Sequence, residues 1–325
     1  MFPFSGWREN TPRALRLLTI GLLVSACTSA SVPPSLAPTP TPSPTPSPTP
    51  TPPPTPSPSP TPVPLDQALL ARRVTFLVVG SDSNLSRRQA GMATYRTDAM
   101  MVVSVSADRT KITILSLPRD TVDVPLADGR IYGGKANGIA QLYGVEGLRG
   151  AMERLLGIRI DRYIKIDMDA FTWMVSSVGG IDVDVHTRIA DTHINFYLDA
   201  GPTHLSGPTA LSYTRTRADS DYARDARQQQ VVLALVRKWL APTTSLSLID
   251  SIRLLTSLET DIKIGEVPTF IEIGRRAANA QVTATVLQPP RFALFAGFES
   301  GTNRGWVMIP DIAEMRAYAK ALIGS

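Results

Sequence analysis

From about Leu65 onward, short apolar runs that fit β-strands alternate with segments whose apolar residues recur at helical spacing. The predicted strands are 74–79, 99–106, 111–117, 161–166, 181–185, 281–287 and 305–309. The predicted helices are 135–143, 145–156, 168–178, 206–212, 221–240, 245–258, 266–279 and 311–323. Because strands and helices alternate, we expect an α/β fold in which a mixed central β-sheet is flanked by helices on both faces.

The pattern of residues 1–27 is that of a targeting segment. A basic start precedes the apolar run LRLLTIGLLV, which is too short to favour a membrane-spanning helix of about 20 residues. The run ends in Val24-Ser25-Ala26-Cys27, which resembles a bacterial lipobox, the signal in which the cysteine is diacylated and becomes the mature N-terminus. We therefore expect a lipoprotein signal peptide over 1–27 and a lipid anchor at Cys27. The alternative is an ordinary secretory signal with an incidental cysteine.

Residues 28–64 form a linker of repeated Thr-Pro and Ser-Pro pairs. Residues 33–64 contain 17 of the 28 prolines of the chain. Because proline lacks a backbone donor and blocks the α-helix, this composition predicts an extended polyproline rod. At about 3.1 Å per residue, the rod could reach on the order of 100 Å. It would be a spacer between the anchored end and a globular domain over 65–325.

Composition excludes several classes of function. The net charge is +5, of which +2 lies ahead of Cys27, so the remainder is too weak for a general nucleic-acid binder and any anion binding must be local. With Cys27 as the single cysteine, neither a disulfide framework nor a cysteine metal site is possible. The three histidines, His186, His193 and His204, are too few to suggest a histidine-rich metal site.

Charged residues concentrate between Tyr213 and Gln230. The arginines of this stretch are Arg215, Arg217, Arg224 and Arg227, and the aspartates between them are Asp219, Asp221 and Asp225. If 213–217 is extended, Arg215 and Arg217 point to the same side. If a helix begins near Ser220 or Asp221, with Asp219, Ser220 and Asp221 as possible caps, then Arg224, Arg227 and Gln228 share one face.

Guanidinium groups that converge on a helix N-terminus favour phosphate or pyrophosphate binding. The alternative is a solvated helix start with ordinary ion pairs. Three further polar residues, Asp82, Asp98 and Arg119, lie at or beside the ends of predicted strands, where open α/β sheets present ligand sites.

Two carboxylates without histidine or cysteine partners suit a hard cation such as Mg²⁺, which typically bridges phosphate oxygens. Alternatively, Asp82 is a turn residue and Asp98 is a charge at a strand edge. Arg119 and Lys135 could equally be surface ion-pair partners.

The chain from about Thr75 to Asp261 resembles the LytR–CpsA–Psr (LCP) family of extracytoplasmic glycopolymer transferases. The matching pieces, in family order, are VVGSDS, RTDAMMVVSV, ILSLPRDT, Lys135-x-Asn137, LLGIRIDRYIKID, VGGIDVDV, AGPTHLSGPTALSYTRTR and DYARDARQQ. The chain departs from the family at Ala223, where glycine is usual, at Ser206 and at Pro208-Thr209. The lipobox and linker replace the usual N-terminal membrane helix. The departures leave the charged side chains in place.

The resemblance implies a transferase that moves a polyprenyl-pyrophosphate-linked glycopolymer, such as teichoic acid or capsule, onto a peptidoglycan hydroxyl. The Mg²⁺ ligands of the family match Asp82 and Asp98. The residues that match its pyrophosphate-binding arginines are Arg119, Arg215, Arg217 and Arg224, with Lys135, Asp221 and Gln228 beside them. The prenyl tail would lie in an apolar tunnel between sheet and helices. Residues 65–325 would then be an LCP-like catalytic domain with a C-terminal extension, lipid-anchored and facing the cell wall.

Three other functions are consistent with part of the sequence. A polyprenyl-pyrophosphate pyrophosphatase would use the same residues with water as acceptor. A lipid-anchored wall protein could retain polyanions without turnover, although binding alone would not require paired carboxylates. A serine hydrolase is disfavoured, because the chain has no G-x-S-x-G motif.

Overall fold

The structure, a computed structural model, describes residues 64–92, 95–241 and 258–324. All of these residues belong to one compact unit, Pro60–Ser325. The predicted signal peptide with Cys27 and nearly all of the predicted linker lie outside the described residues. The helix predicted over 245–258 also lies outside them, apart from its last residue.

A six-stranded sheet forms the centre of the described domain, with the strand order β11-β6-β1-β2-β3-β12. The described strands are β1 (Val74–Ser81), β2 (Thr97–Val105), β3 (Lys111–Ser116), β4 (Val124–Pro125), β5 (Ile131–Tyr132), β6 (Arg162–Ile166), β7 (Ile181–Val185), β8 (Ile189–Asp191), β9 (Phe196–Leu198), β10 (Gly201–Leu205), β11 (Glu259–Thr260), β12 (Gln281–Val286), β13 (Ala293–Phe298) and β14 (Trp306–Pro310). In the central sheet β1–β2, β2–β3 and β6–β11 pair antiparallel, whereas β1–β6 and β3–β12 pair parallel. The predicted mixed sheet is therefore confirmed.

Helices cover both faces of this sheet, as predicted. The described helices are α1 (Gln67–Ala71), α2 (Leu85–Gln89), α3 (Ile139–Leu156), α4 (Met168–Ser177), α5 (Gly207–Arg215), α6 (Asp221–Leu240), α7 (Val267–Arg276) and α8 (Ile312–Ile323). On one face, Leu77 of β1 shares a core with Met152 of α3 and Met315 of α8. On the other, Val78 lines a cavity together with Val231 of α6. The strand alternates its side chains between the two layers.

The two helices predicted over 135–143 and 145–156 are one element with a break. A short 3-10 turn at Ala136–Gly138 leads into α3, and Gly144 interrupts the helix with φ 70° and ψ 174°. A left-handed φ of this kind is readily adopted by glycine alone, so the residue marks the break.

The prediction for the end of α5 is wrong. The helix continues to Arg215 instead of ending at Ser212, so 213–215 are helical and not extended. Continuing the helix buries Tyr213, which is 2% exposed, and allows its hydroxyl to donate to Gln230 Oε1 over 2.7 Å. Burial of the Tyr213 side chain therefore favours the helical conformation of 213–215 over the extended one.

Several antiparallel pairs were missed by sequence reasoning. These are β4–β5, β8–β9, β7–β10 and β13–β14, of which only β7 and β14 were expected as strands. Most are two to five residues long, too short to show a two-residue alternation. Among the described helices, none is long and apolar enough to cross a membrane.

Candidate functional site

The pairing of β1, β2 and β3 brings the predicted sheet residues to one edge. Asp82 follows the last residue of β1, and Asp98 is the second residue of β2. β3 runs back towards the same edge, where Ser116 pairs with Met101, and Arg119 follows three residues later. The three predicted strand-end residues therefore meet at one end of the sheet.

The start of α6 forms the helical side of the site. Ser220, one of the three predicted caps, accepts a hydrogen bond from the Ala223 N–H over 3.0 Å, and the helix begins one residue after it. Gln229 Nε2 donates to Ser116 Oγ over 2.8 Å and to the Thr285 carbonyl over 2.9 Å, which fixes the helix to the sheet. Gln229 was not predicted to be part of the site. The feature that could have indicated it is a polar residue on the helix face that turns towards the core.

Three arginines converge on a single oxygen of Asp221. Its Oδ1 lies 2.7 Å from Arg224 Nη1, 3.3 Å from Arg217 Nε and 3.7 Å from Arg119 Nε. These contacts join the helix, the loop before it and the segment after β3. We call Asp98, Arg119, Arg217, Asp221 and Arg224 the arginine cluster.

Asp98 is the second carboxylate of the arginine cluster. Its Oδ1 accepts from Arg119 Nη1 over 3.1 Å and from Asn137 Nδ2 over 3.5 Å, and its Oδ2 lies 3.7 Å from Arg217 Nη2. Burial alone would raise the pKa of Asp98, but the positive charges of Arg119, Arg224 and Arg217 outweigh it and lower that pKa. Asp98 is therefore held ionised at the mouth of the site.

Asp120 extends the charged network beyond the arginine cluster. Its Oδ2 lies 3.4 Å from Arg119 Nε, and its Oδ1 lies 2.6 Å from Lys135 Nζ. Burial favours the neutral form of Arg119, but Asp98, Asp221 and Asp120 together raise its pKa. Lys135, predicted to bind substrate, thus contacts Asp120 and reaches the cluster through it. Sequence reasoning noted Asp120 only as the residue after Arg119.

An apolar cavity opens at the same edge. Its apolar walls come from the sheet and from α4, α5 and α6, and are formed by Val78, Met101, Met168, Phe171, Leu211, Val231 and Val232. Its polar end is formed by Ser81, Asp82, Asp98, Asp167, Thr214, Arg215 and Gln228. An apolar cavity between sheet and helices is therefore present where the sequence analysis expected a tunnel. Its lining was not predictable, because the residues come from distant segments.

Two predicted residues lie at the polar end of this cavity. Arg215, the last residue of α5, is exposed and has no ion-pair partner within the described ranges. Gln228 Nε2 donates to the Thr214 carbonyl over 3.2 Å, which orients the amide beside the cavity. Because no ion pair within the described ranges has to break first, the guanidinium of Arg215 is available to bind an anion.

Residues 59–301 match the LytR_cpsA_psr family, which covers well over half of the chain. The chain belongs to this family. Two relatives carry the name polyisoprenyl-teichoic acid–peptidoglycan teichoic acid transferase. TagV of Bacillus subtilis strain 168 is 30% identical over 202 residues, which are 59% of this chain and 50% of TagV. TagU of Bacillus mycoides strain KBAB4 is 30% identical over 193 residues, 58% of this chain and 59% of TagU. The LCP chain described here thus spans about half to three fifths of these relatives.

Solved structures show the same LCP fold. The crystal structure of Bacillus subtilis TagV superimposes with a TM-score of 0.59 and 26% identity, covering 78% of this chain and 98% of that one. A structure of TagT bound to LIIa-WTA superimposes with a TM-score of 0.60 at 22% identity, over 79% of this chain and 93% of that one. At this identity the second likeness concerns the fold alone.

Arg227 does not belong to the arginine cluster of this LCP domain, although the sequence placed it on one face with Arg224 and Gln228. Its Nε donates to the Tyr213 carbonyl over 3.1 Å and its Nη2 to the Thr216 carbonyl over 2.6 Å. Both Nη atoms also donate to Asp219, over 2.6 and 3.0 Å. The helix begins at Asp221 and gives the three side chains the expected spacing. Arg227 nevertheless stays apart from the cluster, because the chain before α6 folds back and accepts hydrogen bonds from all three of its side-chain nitrogens.

Asp82 and Asp98, the carboxylates predicted to hold a cation, both line the LCP cavity, as does Asp167. Among the described residues, no group of three or more histidine, cysteine, aspartate or glutamate side chains could hold a metal ion. Two carboxylates in the polar lining nevertheless fit Mg²⁺, which commonly takes one or two carboxylates and completes its shell with water and substrate phosphate. Asp82 is also held by the protein: its Oδ2 accepts from Arg87 Nη1 over 2.6 Å and its Oδ1 from the Arg96 N–H over 2.7 Å.

Proposed function

We propose that this chain is a transferase that moves a glycopolymer from a polyprenyl phosphate or pyrophosphate carrier onto peptidoglycan. The observation that carries the proposal is the apolar cavity whose polar lining includes Arg215 and Asp98, the latter being the carboxylate that joins the cavity to the arginine cluster. A ligand for this arrangement has an apolar chain and a polyanionic head. The names of TagV and TagU, which act on polyisoprenyl-linked teichoic acid and peptidoglycan, support the same class of donor and acceptor.

Donor binding would divide between the two parts of the site. The prenyl tail would lie against Val78, Phe171 and Val231, and the phosphates would contact Arg215 and the arginine cluster. Burial of apolar surface favours the tail at roughly 25 cal/mol per Å², and bidentate guanidinium contacts orient the head.

The arginines would contribute to phosphate binding unequally. Arg217 is 45% exposed and Arg119 15%, whereas Arg224 is 2% exposed and donates to Asp221. Arg217 therefore meets the phosphate directly. Arg224 acts on the phosphate indirectly, through its contact with Asp221. Alternatively, Arg224 contacts the phosphate itself once Asp221 has moved aside.

Asp82 and Asp98 are the residues that would hold Mg²⁺ in this scheme. Bound there, the ion would neutralise phosphate charge at the head of the donor. Capsule polysaccharide or another wall polymer would fit the same head-group chemistry as teichoic acid, so the glycopolymer is proposed only as a class.

The transfer step exchanges one bond to the glycopolymer for another. An acceptor hydroxyl attacks the atom of the polymer that is bonded to the carrier, releases its proton to solvent and forms the new O-linked bond. The bond to the carrier breaks, and polyprenyl phosphate or pyrophosphate leaves with the electron pair. Arginines already arranged around the leaving group stabilise the charge that develops there more than they stabilise the ground state.

The predicted lipid anchor at Cys27 and the linker 28–64 would hold the domain on the outer side of the membrane, within reach of donor and wall. Replacing Cys27 with Ala tests this part alone. The variant is expected in the soluble envelope fraction, and retention in membranes after high-salt washing would contradict the anchor.

The function is tested with a polyprenyl-pyrophosphate-linked saccharide labelled in its sugar and purified peptidoglycan. The transferase is expected to move label onto peptidoglycan and to release the prenyl carrier, with both depending on the acceptor. Phosphate release without an acceptor would indicate a pyrophosphatase. Binding of the donor with no product would indicate a retention protein. Either outcome would contradict the proposal.

A further inference from the structure

Arg224 is held from two opposite sides. Its Nη1 donates to Asp221 Oδ1 over 2.7 Å, and its Nη2 donates to Asp225 Oδ1 over 3.0 Å. The side chain of Asp221 is 37% exposed and that of Asp225 is 4% exposed. One end of the guanidinium therefore faces the site, and the other end faces the interior.

Asp225 is an unusual residue for that interior position. Its Oδ2 is buried and has no hydrogen-bond partner among the described residues. A buried carboxylate with unused acceptor capacity costs free energy, and an apolar residue of similar size would avoid that cost. The contact that this carboxylate does make is the one with Arg224, whose Nε also has no partner in the described part of the chain.

We infer that Asp225 is a positioning residue that fixes the Arg224 guanidinium from the interior, so that Nη1 stays directed at Asp221 and the phosphate site. This inference rests on the proposed function, because it assigns the phosphate as the ligand of that site. The contact with Asp221 can be exchanged when an anion arrives, whereas the contact with Asp225 is shielded from solvent and remains.

Asp225 also sets how much positive charge Arg224 presents to the site. The ionisable groups that face it are Arg224, Asp221 and Tyr222 on α6 and Arg119 after β3. Burial raises the pKa of Asp225 to about 7, against the lowering influence of Arg224 and Arg119. Burial likewise raises the pKa of Tyr222 to about 12, so its phenol stays neutral. Below about pH 7 Asp225 is protonated and Arg224 keeps its full charge, whereas above it the carboxylate offsets part of that charge.

Two substitutions separate position from charge. Asp225→Asn keeps the size and an acceptor oxygen but removes the charge, and Asp225→Ala removes the acceptor as well. The readout is the affinity for geranylgeranyl pyrophosphate, measured by calorimetry at about pH 6 and about pH 8, on either side of the Asp225 pKa of about 7. Each variant is compared with wild type at the same pH, which cancels the protonation of the probe.

At the lower pH, Asp225→Ala is expected to bind about 10-fold or more weakly than wild type, the loss of one charge-assisted hydrogen bond. At the higher pH its deficit should be several-fold smaller, because Asp225→Ala also removes the carboxylate charge that offsets Arg224. Asp225→Asn is expected to match wild type at the lower pH and to bind several-fold more tightly at the higher one. Asp219→Ala is the matched control, because it removes a carboxylate from the same region whose ion-pair partner among the described residues is Arg227. It should lower the melting temperature and leave the affinity unchanged.

Four results would overturn the inference. These are an Asp225→Ala variant that binds like wild type at the lower pH, an Asp225→Asn variant that matches wild type at the higher pH, an equal loss in Asp219→Ala, and no binding by wild type. The last would refute the proposed function and this inference with it. If Asp225→Ala does not fold, the pH comparison of Asp225→Asn decides.

Discussion

Arg217 and Arg227 lie on either side of the start of α6, yet they are held in different ways. Arg227 is 8% exposed and donates to two backbone carbonyls as well as to Asp219. Arg217 is 45% exposed, and its side-chain ion pairs are with the carboxylates of Asp98 and Asp221, at 3.7 and 3.3 Å. Backbone carbonyls cannot leave without unfolding the chain, but side-chain carboxylates can be replaced by phosphate oxygens. Partner type therefore distinguishes a structural arginine from a binding one.

Electrostatics leads to the same distinction. The pKa of Arg217 is lowered by burial and by the nearby positive charges of Arg119 and Arg224, against the influence of Asp221 and Asp98. An incoming phosphate would relieve that repulsion. Arg227 is already paired with the Asp219 carboxylate and with the carbonyl dipoles of Tyr213 and Thr216, so an anion would stabilise its charge little further.

The largest effect is expected from the carboxylates of the cavity. Asp98→Ala should remove divalent-cation dependence and lower transfer at least about 100-fold. The substitution removes a ligand of the cation and an ion-pair partner of Arg119 and Arg217. Transfer rates with and without EDTA provide the measurement. Asp128→Ala, which removes an exposed carboxylate paired with Arg130, is the control. Full activity of Asp98→Ala, or wild-type activity indifferent to EDTA, would refute the metal site.

Arg217→Lys should be next in size. Lysine keeps the charge but loses the planar fork, and one charge-assisted hydrogen bond is worth about 1.5–3 kcal/mol, or roughly 10- to 150-fold in rate. The melting temperature should not change. The loss should lie mainly in kcat if the contact strengthens as the leaving group gains charge, and in KM if it only holds the donor. Arg188→Lys, at an exposed pair with Asp199, is the control. If Arg217→Lys transfers polymer at the parental rate, the arginine cluster is a solvated face and does not bind the phosphate.

The same substitution at Arg227 should give the reverse result. Arg227→Lys cannot reach both carbonyls and Asp219 together, so the free energy of unfolding should fall by about 1.5–3 kcal/mol. Denaturant unfolding measures this loss, and transfer per folded molecule should stay at the parental rate. A variant of parental stability with impaired transfer would place Arg227 in the site and remove the distinction drawn above.

The smallest effect concerns Arg87, which neutralises Asp82 over 2.6 Å. Both side chains are partly exposed, so the pair is worth at most about 1 kcal/mol, and Arg87→Ala should tighten Mg²⁺ binding by about 2- to 5-fold. Calorimetric titration with Mg²⁺ measures it without turnover. Arg130→Ala is the control, since its partner Asp128 is exposed and is not among the described residues that line the cavity. Weaker Mg²⁺ binding in Arg87→Ala would contradict an ion at Asp82.

Much of this site could be predicted from local patterns, because its sheet residues follow or begin buried strands. Asp82, Asp98 and Arg119 were selected in that way, and antiparallel pairing then placed them together. The separation of Arg224 from Arg227 could not be predicted. Their spacing on α6 suggests a common face, and the carbonyls that take up Arg227 depend on how α5 packs. The cavity lining depends on tertiary packing in the same way. The contact of Arg87 with Asp82 is local, five residues apart, and was missed because helix α2 was not predicted.

The central claim is that one site binds an apolar tail and a pyrophosphate head together. Calorimetry with geranylgeranyl pyrophosphate, geranylgeraniol and inorganic pyrophosphate tests it most directly, on wild type, Arg217→Lys and Arg227→Lys. The account predicts that wild type binds the complete ligand at least about 10-fold more tightly than either part, since each part contributes more than about 1.4 kcal/mol. It also predicts that Arg217→Lys loses this advantage and Arg227→Lys keeps it. Equal affinity for the complete ligand and for either part alone would contradict the account.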